Sequence, residues 1–149
     1  MVRLVWTGWW LGLLWAYGSP ASAQERPGSP RVELRENYPN PFYPSTTIPF
    51  FITGEVCAKG HRPKVSLKIY NVLAQLVAYA AITGPRGERL DDASLGCGEH
   101  LALWDGRQLN GRNDPAPGVY YYQLSVDGQR LTRKMIVTAP EARSDRPPR

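Results

Sequence analysis

Two histidines and one acidic pair are the side chains most suited to catalysis or metal binding. His61 lies in a Lys-Gly-His-Arg-Pro stretch that predicts a turn, and His100 begins a predicted strand. A zinc site needs several ligands close together, and the sequence separation of His61 and His100 gives no sign that they cluster with other ligands. Asp91 and Asp92 could act as acid and base if their surroundings separated their pKa values. Adjacent carboxylates in a polar loop more often face solvent, so we predict no catalytic residue, no metal site and no cofactor.

The polar stretch over residues 105–114 is rich in the oxygen ligands that calcium prefers. An EF-hand loop needs acceptors at alternate positions and a closing glutamate, an arrangement that this stretch does not have. Its Asp-Gly and Asn-Gly dipeptides are strong signals for tight turns. We therefore predict turns in this stretch, and a calcium site is the alternative.

The chain has two cysteines, Cys57 and Cys97, and no C-x-x-C pair. In an exported protein they predict one disulfide, with a reactive thiol pair as the alternative. The disulfide would close a loop of about 40 residues, which the chain-entropy model values at roughly 4 kcal/mol.

Charge and motifs argue against two further classes of function. The 18 Lys and Arg exceed the 13 Asp and Glu by five, and the excess is scattered without interleaved aromatic residues. We therefore predict no nucleic-acid surface. The sequence contains no phosphate-binding loop, nucleophile elbow or zinc-protease motif, so we predict that the protein is not an enzyme.

The chain begins with a stretch typical of a secretory signal peptide, predicted over residues 1–23. Arg3 precedes an apolar run from Leu4 to Tyr17, and small residues lead up to Ala23, where we expect cleavage. The run is about 14 residues long, short of the roughly 20 that span a bilayer, although an uncleaved anchor is the alternative. Residues 24–31 predict a linker, and the proline-rich, charged residues 139–149 predict a disordered tail.

Residues 32–138 show apolar alternation with period two, which is typical of strands. Pro49 has no backbone donor, so its strand should lie at a sheet edge or turn Pro49 away from its neighbour. About seven short strands separated by turn residues predict an all-β fold, an immunoglobulin-like antiparallel β-sandwich. The predicted strands are 32–35, 47–52, 65–70, 76–82, 100–104, 119–126 and 130–138.

Several ordered segments resemble the type IX secretion system C-terminal sorting domain and the related immunoglobulin-like domain of the flagellar hook-capping protein. The resemblance covers residues 34–137, and its motif residues are Asn37, Tyr38, Pro39, Asn40, Pro41, Phe42, Trp104, Asp105, Gly106, Gly118, Val119, Tyr120 and Lys134. It implies a domain that directs an exported protein through the outer membrane or to the cell surface.

The motif residues also suit structural roles. The prolines should hold the chain extended, and Asn40 should bond its own backbone in a turn. Tyr38 and Phe42 should cover an open end of the sandwich, and Trp104 should fill the core. Gly118 should allow a tight start to the tyrosine-rich strand.

The sequence thus predicts an exported, non-catalytic immunoglobulin-like module that acts in secretion or surface attachment. The alternative is a periplasmic accessory subunit that docks on a larger membrane-associated complex. In both cases the partner is a protein, and the membrane is reached through that partner. The candidate interaction residues are Phe51, Leu101 and Tyr121, each predicted to face outward.

Overall fold

Nine strands in two antiparallel sheets form the regular structure of the protein, a computed structural model that describes residues 31–84 and 87–140. One 3-10 turn, Ala58–Gly60, is the only helical segment within those two ranges. The strands are β1 (Val32–Leu34), β2 (Thr46–Ile52), β3 (Lys64–Asn71), β4 (Leu76–Tyr79), β5 (Ala81–Ile82), β6 (Ala93–Ser94), β7 (Gly98–Trp104), β8 (Gly118–Val126) and β9 (Gln129–Val137).

The strand order is that of an immunoglobulin sandwich. Sheet A runs β1-β2-β7-β5, and sheet B runs β4-β3-β8-β9 with β6 also paired to β3. These orders correspond to strands A-B-E-D and C-F-G of the immunoglobulin fold, with β4 added beside C. The predicted all-β, immunoglobulin-like sandwich is confirmed. The predicted signal peptide, nearly all of the predicted linker and most of the predicted tail lie outside the described residues.

The structure has nine strands rather than about seven, and one cause is a change of sheet at Ala80. The predicted strand 76–82 divides into β4, in sheet B, and β5, in sheet A. Between them Ala80 is fully buried, and its backbone bonds Leu67 and Leu90 at 3.0 and 2.9 Å. Because the stretch is apolar on both faces, its periodicity could not show the change. The two-residue β6 is too short to produce an alternation.

Pro49 lies on an interior strand, β2, so the edge placement was wrong; the Pro49 backbone is turned away from β7 but faces Arg35, on the β1 side. The amide of Arg35, just beyond β1, donates to the Pro49 carbonyl at 3.0 Å. An antiparallel partner would return a bond to the Arg35 carbonyl, but proline has no N–H. The hydroxyl of Tyr122, on the opposite sheet, donates to that carbonyl instead at 2.9 Å.

The core contains the inward residues of both sheets, as the alternation predicted for Met135 and Val137 among others. Trp104 is 1% exposed and fills the core as expected. The largest fully buried side chains are Trp104, Tyr122, Phe42, Phe50, Ile48, Ile52, Leu67, Ile69, Leu90, Leu124, Met135 and Val65.

The predicted disulfide between Cys57 and Cys97 is present, with the two Cα atoms 6.0 Å apart. It joins the residue before the 3-10 turn to the residue before β7 and closes a loop of 40 residues. A disulfide of this kind fits an oxidising compartment.

Replacing both cysteines, Cys57→Ser with Cys97→Ser, should lower the free energy of unfolding by about 2–4 kcal/mol, because the unfolded chain loses a long closed loop. Urea denaturation measures this change. Reduced wild-type protein is the matched control and should unfold at the same urea concentration as the double variant. A double variant as stable as the oxidised wild type would contradict the prediction.

Candidate functional site

The loop between β1 and β2 carries six of the motif residues, and Asn37 holds its base. The Asn37 amide donates to the Tyr122 hydroxyl at 3.1 Å. Its side-chain nitrogen donates to the Thr46 hydroxyl at 2.9 Å and to the Pro39 carbonyl at 3.1 Å. Because Asn37 is buried, these bonds fix the start of the loop relative to the core.

The loop is not extended, contrary to the expectation from its prolines. Tyr38 and Thr47 exchange two backbone hydrogen bonds, at 2.8 and 2.9 Å, so the chain turns back on itself. The peptide bonds before Pro39, Pro41 and Pro44 are cis. The Tyr38 side chain is 53% exposed and does not cover an end of the sandwich.

Asn40 and Phe42 lie against the outer edge of β9, so the expectation that Asn40 bonds its own backbone was wrong. The Ile136 amide donates to the Asn40 side-chain oxygen at 3.0 Å. The Phe42 amide donates to the Ile136 carbonyl at 3.0 Å, and the Thr138 amide donates to the Phe42 carbonyl at 2.9 Å. These bonds make residues 40–42 a short parallel addition to sheet B.

Tyr38 and Phe42 were both predicted to cover an open end of the sandwich, but only the Phe42 side chain is buried there. Its ring centroid lies 5.6 Å from that of Trp104, which lies 5.5 Å from that of Tyr120. The indole N–H donates to the Arg107 carbonyl at 3.0 Å. Three of the four aromatic motif residues, Phe42, Trp104 and Tyr120, therefore form one cluster at this end of the sandwich.

The Asp105-Gly106 turn packs beneath the same loop. The Asp105 carboxylate accepts the Arg107 amide at 3.1 Å. Gly106 has a φ of +83°, and a Cβ there would lie 2.9 Å from the Pro44 carbonyl oxygen and 3.0 Å from Pro115 Cδ. Only glycine satisfies both the backbone conformation and the close approach.

The other motif residues lie on β8 and β9. Gly118 begins β8 with a φ of +150°. Val119 pairs with Ile136, and Lys134 pairs with Tyr121 on the outer face of sheet B.

The chemistry-capable side chains take part in separate local contacts. His61 Nε2 lies 2.7 Å from the Asp127 carboxylate and, with the Lys64 amide, holds the pKa of that carboxyl below its usual value. His100 stacks on the Phe50 ring at 5.1 Å. Asp91 pairs with a neighbouring arginine at 3.1 Å. Within the described ranges, no three His, Cys, Asp or Glu residues come close enough to hold a metal ion.

Residues 105–114 use their oxygen atoms in turns. The Asn110 side chain accepts the Arg112 amide at 3.0 Å. The Leu109 amide donates to the Val77 carbonyl at 2.8 Å, so the loop covers the outer edge of β4. A concavity of about 760 Å³ lies between this loop and β4, lined by amide, proline and aliphatic groups and by Arg112, Asp114 and Tyr120.

The three candidate interaction residues lie on opposite faces of the sandwich. Phe51 and Leu101 are on neighbouring strands of sheet A, on its outer face, and Leu101 pairs with Pro49. Tyr121 is on the outer face of sheet B. The structure thus brings two of the three together.

Sequence reasoning missed two exposed features. At the β3–β4 hairpin tip, Val72 is 66% and Leu73 is 73% exposed, in a turn held by the Asn71 side chain. The sequence signal that could have revealed this tip was the presence of two aliphatic residues within a predicted turn.

The second missed feature is a basic outer face on sheet B, where alternation places no carboxylate among the outward residues of β3, β8 and β9. Its cations are Lys64, Lys68, Arg130 and Lys134.

Replacing Gly106 by alanine should lower the free energy of unfolding by about 2–4 kcal/mol, because a strained φ and overpacking add. Gly111→Ala is the matched control: its φ is also +83°, but no atom lies within 4 Å of the added Cβ. It should cost only about 1 kcal/mol. Equal losses in chemical denaturation would show that the Pro44 contact is unimportant.

No helix in the described part of the chain is long and apolar enough to cross a membrane. Comparison with known proteins identifies no relative: the chain matches no protein-family model, no curated protein and no solved structure.

Proposed function

We propose that the protein is an exported, non-catalytic immunoglobulin-like module that acts in secretion or surface attachment, like the type IX sorting domains that it resembles. The observation that carries this proposal is the arrangement of the motif residues. Asn37 to Phe42 form one loop, and the Phe42 ring packs on Trp104 and through it on Tyr120. Residues that build one joint structural unit suit a domain whose shape is recognised, rather than one that transforms a substrate.

Export is supported by two independent features. The first 23 residues have the pattern of a signal peptide, and Cys57 is bonded to Cys97. Disulfides persist in oxidising compartments such as the periplasm and the cell surface.

A non-catalytic role is supported by the uses of the reactive side chains. His61 bonds Asp127 at the rim of the sandwich, and His100 stacks in sheet A. The two histidines lie on separate elements, and each contacts its own neighbour rather than the other.

The exposed hairpin tip favours the second candidate function, a periplasmic accessory subunit that docks on a larger membrane-associated complex. Val72 and Leu73 are rigidly presented, because the Asn71 side chain accepts the Leu73 and Gln75 amides at 3.0 Å each. Exposed aliphatic residues on an ordered turn are suited to packing against a protein partner.

Residues 24–149, fused behind a signal peptide and a periplasm-competent fluorescent protein, should reach the cell surface of a bacterium that has type IX secretion. Delivery should fail in a strain that lacks the outer-membrane channel. Lys134→Ala, an exposed motif change, should reduce delivery, whereas the exposed control Lys64→Ala should not. Surface fluorescence on intact cells measures delivery in each case.

The second candidate predicts a different outcome. The full chain would stay intact in the periplasm and copurify with an envelope complex, and Val72→Ser with Leu73→Ser would abolish the association. Periplasmic retention of the fusion in the channel-containing strain would contradict the sorting role.

A further inference from the structure

One stretch of sheet edge has unpaired backbone groups. Along β9, alternate residues direct their N–H and C=O groups toward β8 or away from it. The Ile136 backbone points away, to Asn40 and Phe42, so Lys134, Thr132 and Arg130 point away as well. Among the described residues, none bonds the backbone of these three.

The same edge already accepts an added segment where the chain reaches it. Residues 40–42 lie parallel to the end of β9 and bond the Ile136 and Thr138 backbones. This addition ends at Ile136, and the open stretch begins immediately before it. The edge geometry is thus suited to strand addition.

A groove of about 400 Å³ separates the open stretch from β1 of the other sheet. Val32, Leu34 and Leu131 contribute apolar groups to its lining, and Glu33, Thr132 and Arg133 complete it. Arg133 crosses it, and its Nε donates to the Leu34 carbonyl at 2.7 Å. A strand added to β9 would direct every second side chain into this groove, where apolar residues fit.

The opposite face of such a strand would meet positive charge. Arg130 and Lys134 are exposed on the outer face of sheet B, where the outward residues of β3, β8 and β9 include no carboxylate. Antiparallel pairing of two copies about Thr132 would set Arg130 opposite Lys134, a repulsive arrangement. The charge therefore disfavours a second copy and favours an acidic partner.

We propose that an extended segment of a partner protein, in which acidic residues alternate with apolar ones, adds as a strand to β9 over Arg130–Lys134. Its acidic side chains face Arg130 and Lys134, and its apolar side chains enter the groove beside Leu131. This inference rests on the proposed function only for the existence of a protein partner.

The test uses the full chain, exported with its own N-terminal segment and purified from the periplasm. The probe is a fluorescent peptide of alternating glutamate and valine, nine residues long to match β9. Fluorescence anisotropy should show saturable binding that weakens with added salt. Amide exchange of Arg130, Thr132 and Lys134 should slow on binding. A lysine-valine peptide, and one with glutamates and valines in two blocks, should not bind.

Two variants, each with a matched control, test the contribution of the backbone hydrogen bonds and the contribution of the charge separately. Thr132→Pro removes an outward N–H and should weaken binding roughly 10-fold, whereas Thr132→Val retains the N–H and should not. Reversing two cations, Arg130→Glu with Lys134→Glu, should weaken binding at least about 10-fold. The charge-matched control, Lys64→Glu with Lys68→Glu, changes cations on β3 and should leave binding within about 2-fold. Thermal melts confirm that each variant folds.

Equal binding by Thr132→Pro, binding of the lysine peptide, or absence of binding would overturn the proposal. Binding to phosphatidylglycerol vesicles would also overturn the proposal if no peptide binds and the Thr132→Pro variant still attaches to the vesicles. In that case the cations would bind a lipid surface rather than a protein strand. Failure of peptide binding with intact surface delivery overturns this inference alone. Failure of delivery with intact peptide binding overturns the sorting role alone.

Discussion

The buried hydroxyl of Tyr122 connects the two sheets, and much of the structure depends on its two hydrogen bonds. It donates to the Arg35 carbonyl, which Pro49 leaves without a partner, and accepts the Asn37 amide. Burial raises the pKa of Tyr122, so the hydroxyl retains its proton and can make both bonds. Without it, the buried Asn37 amide and the partly buried Arg35 carbonyl, both just beyond β1, would lack partners, at about 1–3 kcal/mol for the buried group.

These hydrogen bonds set the path of the loop between β1 and β2, and that loop in turn covers part of the edge of β9. Because Asn37 is held at the core, the chain turns back and brings Asn40 and Phe42 to β9. On the other side of sheet B, Leu109 bonds β4 in a similar way. Both outer strands of the sheet are thus partly covered by loops, and the remaining stretch of β9 carries cations. Natural sheets commonly use coverage and charge to limit unwanted pairing, and the same devices can select a partner.

Sheet A and sheet B present different outer surfaces. Leu101 and Phe51 form a small apolar area on sheet A, whereas sheet B combines lysine, arginine and tyrosine side chains. The hairpin tip with Val72 and Leu73 projects at the end of sheet B. A module with such distinct surfaces can contact more than one neighbour, which agrees with either proposed role in the cell envelope.

The sequence by itself determined the strand alternation, the inward residues such as Trp104 and Met135, and the disulfide. These are local or pairwise properties: period two marks the buried face, and two cysteines have one possible intrachain bond. Tertiary structure alone decided the change of sheet at Ala80, because apolar residues on both faces carry no periodic signal. It alone gave Asn40 its partner, Ile136, which is 96 residues away. It also assembled the basic face, whose cations come from strands far apart in the chain, so only register brings them together.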